Sequence, residues 1–332
     1  MSVSYPERKS EIPLDSNENL LIPDEYYKKI KDKIDFEIRK YPSPTGKEVK
    51  EGLAAIYDVQ DEQIVVGNGS DAILDTLIKT FIPRDGTIGC FTPSYEMYKF
   101  FASRNKRNIL EIPLEQDFTF PRVLDEIMSL DALLICSPNN PTGIPIEKKM
   151  LRPILDQGML VIIDEAYVEF SDQDFLSLLQ GYDNLILVRT FSKAWGLAGI
   201  RFGYAISSKK KGIKFLQEML PYNVNSISLQ VAQQALKMKD TVDKAVKDTI
   251  IERERLSEEL KIMGFEPISS DTNFILSKVP STIDANDLFK NLLENGIRIR
   301  VFDKPELKGH VRITVGDTSI NKFLIDILKE II

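Results

Sequence analysis

The sequence has few of the side chains that bind transition metals, with one histidine and two cysteines among 332 residues. A structural zinc site uses about four such ligands, so the sequence predicts no metal site. The two cysteines, Cys90 and Cys136, each lie within or at the end of an apolar run. This placement is typical of buried thiols in a reducing compartment, and it argues against a disulfide.

Basic side chains are fewer than acidic ones. Lysine and arginine total 43 against 50 aspartates and glutamates, which gives a net charge of −7. A nucleic-acid partner is therefore not expected, and an anionic ligand must be bound by local arginines and helix ends. No apolar run approaches membrane-spanning length and no secretory signal opens the chain, so we expect a soluble cytoplasmic protein without a membrane partner.

Short apolar runs alternate with amphipathic helices between Gln63 and about Ile206. Because these runs show little polar alternation, they predict an α/β fold with a mostly parallel, seven-stranded sheet covered by helices on both faces. In such a sheet, ligands bind beyond the carboxyl ends of the strands. The predicted strands are Ile64–Val66, Thr87–Phe91, Arg107–Ile112, Ala132–Cys136, Met159–Ile163, Leu185–Arg189 and Ile200–Ile206.

The rest of the chain indicates a smaller α+β domain. We expect the large domain to span residues 41–225 and the small domain to combine residues 1–40 with 226–332. Gln230–Met263 has helical periodicity, and Gly264 is expected to end that helix. The other predicted elements of the small domain are the strands Asn273–Leu276, Ile297–Val301 and Val311–Val315, and helices around Leu288 and Leu324.

Two helices are predicted ahead of the sheet. The first follows Pro23 and carries Ile30 and Ile34 on one face. Thr45 and Glu48 have the spacing of a capping box, which predicts that the second helix begins there.

One stretch, Val188–Tyr204, places Lys193 between two hydroxyl residues and two glycines, directly after a predicted strand. A lysine forms an imine with an aldehyde when burial and neighbours keep its amine from remaining an ordinary ammonium. The alternative is a solvated loop lysine, which is the common case for lysines in general. The polar residues at the other strand ends decide between the two.

Those residues suit a flat, phosphorylated cofactor. Val66–Asp71 reads as a strand, a glycine turn and a helix start, whose amides and the Ser70 hydroxyl can bind a phosphate; an ordinary tight turn is the alternative. Tyr95 can place its ring over the cofactor, and Asn140 can donate to a phenolate oxygen. Asp164, if shielded from water, would keep a pyridine nitrogen protonated. A helix N-cap is the alternative role for this aspartate.

Taken in order along the chain, the strings NNPTG, DEAY and SKAWGLAGIRFGY resemble the fold-type I, pyridoxal-phosphate-dependent aminotransferases, and most narrowly the histidinol-phosphate aminotransferase branch. The resemblance covers nearly the whole chain, including LDSNEN, YPSPTG, LPYNVNSISLQ and RITVG. It implies an enzyme of histidine biosynthesis that works by a ping-pong mechanism. Such an enzyme moves an amino group between glutamate and imidazole-acetol phosphate, giving histidinol phosphate and 2-oxoglutarate.

The resemblance also implies a role for each site residue. Lys193 would bind pyridoxal 5'-phosphate as an imine and move the proton during catalysis, with Asp164 and Tyr167 as further catalytic residues. Asp164 would pair with the pyridine nitrogen, Tyr167 and Asn140 would bond the ring oxygen, and Tyr95 would stack on the ring. The implied cofactor-binding residues are Tyr41, Gly69, Ser70, Asp71, Tyr95, Asn140, Asp164, Tyr167, Thr190, Ser192, Lys193 and Arg201.

Further implications concern the substrates and the assembly. Arg312 and Arg300 match arginines that bind the amino donor's carboxylate and the acceptor's phosphate, and Asn19 is the third implied substrate-binding residue. An arginine fork suits both anions. Tyr41 matches a tyrosine that reaches the phosphate from the other subunit, which implies a homodimer with shared active sites.

Leu20 and Leu21 depart from the family pattern, which has a proline and an aromatic residue there, and Ala72 stands in place of a frequent glutamate. The first departure leaves the exact phosphorylated substrate open. Alternatives on the same scaffold are an aromatic-amino-acid aminotransferase and a phosphorylated-amino-acid decarboxylase. A non-catalytic, cofactor-sensing regulator would need an appended DNA-binding module, which the acidic chain does not favour.

Overall fold

The computed structural model describes residues 11–122, 127 and 129–332. Its strands are β1 (Ile12–Pro13), β2 (Ile64–Gly67), β3 (Thr87–Thr92), β4 (Asn108–Pro113), β5 (Ala132–Cys136), β6 (Leu160–Asp164), β7 (Leu185–Thr190), β8 (Gly203–Ser207), β9 (Glu266–Pro267), β10 (Phe274–Lys278), β11 (Ile297–Arg298), β12 (Arg300–Val301) and β13 (His310–Thr314).

Seven of these strands form one sheet, in the order β2-β8-β7-β6-β5-β3-β4. β8 runs antiparallel to both of its neighbours, and the other pairs in the sheet are parallel. Every residue of the central strands β5 and β6 is buried, because apolar side chains on both faces of the sheet are covered. The predicted mostly parallel α/β sheet is confirmed.

Helices cover both faces of this sheet. The described α-helices, of which the last two belong to the smaller region below, are α1 (Asp24–Lys31), α2 (Lys47–Tyr57), α3 (Gly69–Phe81), α4 (Met97–Arg104), α5 (Lys148–Asp156), α6 (Lys209–Glu218), α7 (Ser226–Leu236), α8 (Lys239–Ile262), α9 (Ala285–Glu294) and α10 (Thr318–Ile331). Leu77 of α3 and Phe215 of α6 belong to the core cluster on one face. Leu53 of α2, Leu155 of α5 and Ala232 of α7 belong to the cluster on the other.

A second group of strands follows the long helix α8. β10 pairs antiparallel with β9 and β13, and β12 extends this four-stranded sheet. β1 and β11 form a separate two-stranded sheet. Leu256, Leu288 and Leu324, from α8, α9 and α10, lie in the core shared by these elements. The smaller α+β region is present as predicted, and the domain limits at residues 41 and 225 stay a prediction.

The two helices ahead of the sheet differ in how well they were predicted. α1 begins directly after Pro23, as expected. The capping box of Thr45 and Glu48 is wrong: α2 has Gly46 as its N-cap residue, in a left-handed conformation with φ 65° and without a side-chain cap bond. The hydroxyl of Ser43 accepts the backbone N–H of the first helical residue at 3.1 Å instead.

Three other predicted elements have different bounds. The strand predicted over Ile200–Ile206 begins only at β8, because Arg201 has a left-handed backbone with φ 50° that no strand adopts. Ile297–Val301 is divided between β11 and β12, which belong to different sheets. Gln230–Met263 is divided between α7 and α8, and Gly264, with φ 83°, follows the end of α8 as predicted.

Cys90 and Cys136 are both buried and unpaired, as predicted. Across residues 11–122, 127 and 129–332, no group of histidine, cysteine, aspartate and glutamate side chains is arranged to hold a metal ion. None of the helices in that part of the chain has the length and apolar character needed to cross a membrane.

Candidate active site

The carboxyl ends of the parallel strands lie at one edge of the large sheet. β6 ends at Asp164, and β7 ends at Thr190, three residues before Lys193. β2 ends at Gly67, just before α3, and β5 leads into the turn at residues 137–143. The sheet order therefore brings the loops that carry the predicted site residues to one edge.

Lys193 is held at this edge by contacts from two other segments. Its Nζ donates a hydrogen bond to the Ser16 carbonyl at 2.7 Å and lies 5.6 Å from the centre of the Tyr167 ring. Burial lowers the pKa of Lys193 to about 8, and the positive charge of Arg312 adds to this effect. Its neutral form is therefore better populated near neutral pH than that of a solvated loop lysine.

Asp164 is a buried carboxylate, only 3% exposed. It accepts hydrogen bonds from the Tyr98 hydroxyl at 2.9 Å and from the backbone N–H of Ala166 at 3.2 Å. No cationic side chain of the described residues forms an ion pair with it, and burial raises the pKa of Asp164 to about 7. It is not a helix N-cap, because the short helical turn that follows begins at Val168 after Tyr167. Such a carboxylate is suited to binding a cation.

Arg312 joins the second group of strands to the turn after β5. Its guanidinium donates to the Asn140 side-chain oxygen and to the carbonyl of Asp15. Its Nε is a buried donor that lacks a hydrogen-bond partner among the described residues. Burial lowers the pKa of Arg312 to about 10, which still leaves the side chain charged at neutral pH. The site thus has a guanidinium with unused donor capacity.

Asp71, in the first turn of α3, connects two residues that the sequence assigns to the cofactor. It accepts a hydrogen bond from the Tyr95 hydroxyl at 3.1 Å. It also forms an ion pair with Arg201, whose Nη2 lies 3.3 Å away. Asp71 therefore links Tyr95 and Arg201 through its two carboxylate oxygens.

The backbone packs closely around the N-terminus of α3. Gly69 has φ 82°, and Gly203 lies so near that a Cβ there would be 2.4 Å from the amide nitrogen of Ser70. The hydroxyl of Thr190 accepts the backbone N–H of Ser192 at 3.1 Å and donates to that serine's Oγ at 3.0 Å. Amides at a helix start together with these hydroxyls and a nearby guanidinium can bind a phosphate.

Two other predicted residues have different surroundings. Tyr41 is 83% exposed, and its ring packs against Tyr222 at a centroid distance of 4.8 Å. Among the described residues, no hydrogen bond, ion pair or ring contact joins Tyr41 to the loops at the sheet edge. Asn19 is buried, and its Nδ2 donates to the Ala194 carbonyl at 2.8 Å. Asn19 therefore supports the backbone next to Lys193.

Arg300 lies directly opposite Arg312 in the register of β12 and β13. Its side chain is half-exposed, and Nη2 is 3.9 Å from a carboxylate oxygen of Glu96. The two predicted substrate-binding arginines are thus cross-strand neighbours, one buried and one facing solvent.

Sequence reasoning missed three groups at the site: the hydroxyl of Tyr98, the side chain of Asn17 and the carbonyl of Ser16. Tyr98 follows Tyr95 by three residues, a spacing that brings side chains together where a helix begins, and this was the available signal. The LDSNEN string containing Asn17 and Ser16 was noticeable, but no local pattern indicates which distant residues it contacts.

Residues 9–328 match the family model "Aminotransferase class I and II". The chain is 38% identical to a histidinol-phosphate aminotransferase from Pyrococcus furiosus, an alignment covering 89% of this chain and 84% of the relative. It is 36% identical to the histidinol-phosphate aminotransferase of Caldanaerobacter subterraneus, over 96% of this chain and 92% of the relative.

Solved structures have the same fold. A histidinol-phosphate aminotransferase from Clostridium acetobutylicum matches with a TM-score of 0.87 and 27% identity, covering 96% of this chain and 98% of that one. A histidinol-phosphate aminotransferase from Sinorhizobium meliloti in complex with pyridoxal-5'-phosphate matches with a TM-score of 0.86 and 21% identity, covering 98% and 93%. The family match spans nearly the whole chain, including every strand of the large sheet. This chain belongs to the class I and II aminotransferase family.

Proposed function

We propose that this chain is a histidinol-phosphate aminotransferase that uses pyridoxal 5'-phosphate. It would move an amino group between glutamate and imidazole-acetol phosphate, giving histidinol phosphate and 2-oxoglutarate. The observation that carries the proposal is the meeting, at one sheet edge, of Lys193 with its lowered pKa and Asp164 as a buried carboxylate. The relatives at 36% and 38% identity support the choice of substrate.

The residues at the sheet edge fit this cofactor. Asp164 offers a buried carboxylate to a protonated ring nitrogen, and such a cation beside it would lower its raised pKa. Hydrogen-bond donors for the phosphate come from Ser70, Thr190, Ser192 and Arg201, together with the amides at the start of α3. When bound, pyridoxal phosphate supplies an aldehyde and an electron-withdrawing ring.

The ring of the cofactor would be held by Tyr95, Asn140 and Tyr167. Because Asn140 Oδ1 accepts from Arg312, its Nδ2 is the atom that remains to donate to the ring's phenolic oxygen. Tyr167 would donate its hydroxyl proton to the same oxygen. Tyr95 would stack on the ring while its own hydroxyl stays bonded to Asp71.

Lys193 would move the proton at the substrate's α-carbon. Its Nζ accepts a proton only when neutral, and the lowered pKa keeps that form populated. Burial disfavours the charged form most, and Arg312 disfavours it further, whereas the Ser16 carbonyl keeps Nζ positioned at 2.7 Å. The chain's own side chains thus prepare this amine for proton transfer.

Arg312 and Arg300 would bind the anionic groups of both substrates. Arg312 has an unpartnered buried Nε among the described residues. Arg300 faces solvent beside it, 3.9 Å from a carboxylate oxygen of Glu96 and 5.8 Å from the centre of the Phe302 ring. Hydrogen bonds to charged groups contribute roughly 1.5–3 kcal/mol each. One anion site can therefore accept a carboxylate in one half-reaction and a phosphate in the other.

A second copy of the chain would complete the site. Large apolar side chains are exposed at Tyr41 and near it in sequence or space: Phe36, Ile38, Leu220 and Tyr222. Exposed apolar groups of this kind are typical of protein interfaces. In the proposed homodimer, Tyr41 would leave solvent and reach the phosphate in the partner's site. A cytoplasmic location, and the lack of nucleic-acid and membrane partners, stay predictions.

The test combines a spectrum with a substrate comparison. The purified protein is expected to take up pyridoxal phosphate and show a visible absorbance band that borohydride removes permanently. With 2-oxoglutarate as acceptor, kcat/KM should be higher for histidinol phosphate than for phenylalanine, and phosphothreonine should release no carbon dioxide. A protein that binds no pyridoxal phosphate contradicts the whole proposal. Preference for phenylalanine or release of carbon dioxide contradicts only the substrate.

A further inference from the structure

Residues 15–19, called here the 15–19 segment, contact both cationic side chains of the proposed site. The carbonyl of Asp15 accepts from the guanidinium of Arg312. The carbonyl of Ser16 accepts from Lys193 Nζ at 2.7 Å. Consecutive backbone groups of one segment thus bind residues that come from the second group of strands and from the large sheet.

Asn17 lies in the middle of this segment, is 1% exposed and has a left-handed backbone with φ 57°. Its N–H donates to Thr314 Oγ1 at 3.0 Å, and that hydroxyl donates back to Asn17 Oδ1 at 3.2 Å. Its carbonyl accepts from Asn273 Nδ2 at 3.0 Å. Its Nδ2 donates to the hydroxyl of Tyr167 at 2.9 Å. The contact with Thr314 fixes which end of the Asn17 amide faces Tyr167.

The direction of the bond between Asn17 and Tyr167 has a chemical consequence. Burial raises the pKa of Tyr167 well above its ordinary value, so this side chain stays a neutral hydroxyl. Because Asn17 Nδ2 donates to the hydroxyl oxygen, the hydroxyl's own proton must be directed to a different acceptor. Tyr167 lies beside Lys193, so a group bound at the sheet edge is available to accept the proton of the Tyr167 hydroxyl.

We propose that Asn17 is a positioning residue that makes the Tyr167 hydroxyl a hydrogen-bond donor to the group bound at the sheet edge. This inference rests on the proposed function, in which that group is the phenolic oxygen of pyridoxal phosphate. The side-chain amide is required for the effect: a glycine would keep the left-handed backbone but donate nothing, and an aspartate would keep the shape but accept the tyrosine proton.

The consequence can be measured on the bound cofactor. A donor to the phenolic oxygen stabilises its anionic form, so it lowers the pH midpoint at which the visible absorbance of the bound cofactor changes. Loss of the Tyr167 donor should therefore raise this midpoint. The titratable groups around Tyr167 are Arg312, Cys136, Asp164, Lys193 and Tyr95, and the variants leave all of them unchanged.

The experiment is a double-mutant cycle on the cofactor-loaded protein. Asn17→Asp and Asn17→Gly are made in the parent and in a Tyr167→Phe background, and each absorbance midpoint is measured. In the parent background both changes should raise the midpoint, by an amount equal to a roughly two- to tenfold change in the protonation equilibrium. In the Tyr167→Phe background Asn17→Gly should have almost no effect. In that background, Asn17→Asp should shift the midpoint only by the amount that its added negative charge causes.

Thermal unfolding of the cofactor-free variants provides a readout independent of the cofactor. If Asn17→Asp does not fold, the two Asn17→Gly proteins decide the question. Equal midpoint shifts in the two backgrounds, or no shift in the parent background, would overturn the role of Asn17 while leaving the cofactor assignment intact. A parent protein that shows no visible band would overturn the proposed function and this inference together.

Discussion

The interior around Lys193 and the surface around Tyr41 differ in what determines the position of their side chains. Lys193 is fixed within one chain by the Ser16 carbonyl and the neighbouring Tyr167 ring, and its pKa is displaced by burial. Tyr41 is 83% exposed and packs against Tyr222, another exposed residue. The geometry of the first region is set by the fold of a single chain, whereas the proposed role of the second requires a partner.

The interior also contains buried ionisable groups that destabilise the folded chain. Asp164 is buried with a pKa raised to about 7, and the pKa of Lys193 is lowered to about 8, because each ionised form has lost solvation. Charged groups in such surroundings reduce the stability of the folded chain until a ligand compensates them. Changes in the interior should therefore affect catalysis and stability in opposite directions.

The largest effect is expected from Lys193→Ala. This variant loses the amine that forms the covalent link and also the positioned base, and loss of a general base alone costs about 10²–10⁴ in rate. Turnover of glutamate with the loaded protein should fall by at least that factor. Lys210→Ala, which changes an exposed lysine of α6, is the matched control and should behave like the parent. Near-normal turnover in Lys193→Ala would contradict the assignment.

Asp164→Asn should separate stability from function. The folded pKa of about 7 lies above the ordinary 3.8, so the ionised carboxylate destabilises the cofactor-free protein. This penalty is absent at low pH, grows as pH rises through that range and is complete above about pH 7. Removing the charge should therefore raise the free energy of unfolding at pH 8, on the order of 1–4 kcal/mol, and have little effect near pH 4.

The same variant should slow the single turnover of glutamate by the loaded protein, because a neutral amide cannot stabilise a protonated ring nitrogen. Asp183→Asn, at an exposed position, controls for the loss of one negative charge. Urea unfolding at the two pH values and stopped-flow absorbance are the measurements. If Asp164→Asn lowers stability at pH 8, the hydrogen bonds that the two carboxylate oxygens accept from Tyr98 and Ala166 outweigh the cost of burying the charge.

Arg312→Ala tests the buried arginine that is proposed to bind both substrates. Losing one charge-assisted hydrogen bond costs roughly ten- to a hundredfold in binding, and both glutamate and histidinol phosphate should be affected because they share the arginine. The pKa of Lys193 should rise, because the Arg312 charge is one cause of its lowering. Steady-state KM values and the pH dependence of the rate give both results, with the exposed Arg104→Ala as control. If only one of the two substrates binds more weakly, the two do not share Arg312.

The interior was easier to predict from sequence than the contacts that surround it. Asp164 and Lys193 follow buried apolar strands, and parallel strands end at one edge, so their convergence follows from the pattern. The ends of the elements depend on single backbone conformations, and only the start of the strand predicted over Ile200–Ile206 was wrong, because Arg201 is left-handed. No periodicity signals that conformation in an arginine.

Long-range contacts were beyond the reach of local patterns for a different reason. Asn17 bonds Tyr167, which is 150 residues away, and Thr314, which is 297 residues away. Such pairs are decided by how the second group of strands packs against the large sheet, and only the folded chain contains that information. For the same reason the sequence suggested roles for Tyr41 and Arg300 only through resemblance to a family.

The smallest expected effect concerns the surface, and it distinguishes the two regions directly. Tyr41→Phe and Lys193→Ala chains are mixed under conditions that allow subunit exchange. In a dimer with shared sites, half of the dimers are mixed, and each has one site free of both changes. Random mixing of equal amounts should therefore restore up to about a quarter of the parent activity. The gain over the same chains mixed without exchange shrinks as the residual activity of Tyr41→Phe rises, and it disappears if Tyr41→Phe is as active as the parent.

The matched control is a mixture of Lys193→Ala and Asp164→Asn chains. Both residues act within the same chain in the proposed site, so each site of a mixed dimer keeps one defect and activity should not rise. A gain in the first mixture alone would show that Tyr41 acts across the interface while the interior acts within one chain. Gains in both mixtures would place the interior residues in different subunits' sites. A monomer by light scattering would rule out the shared site, and Tyr41 would then be a surface residue without a role in catalysis.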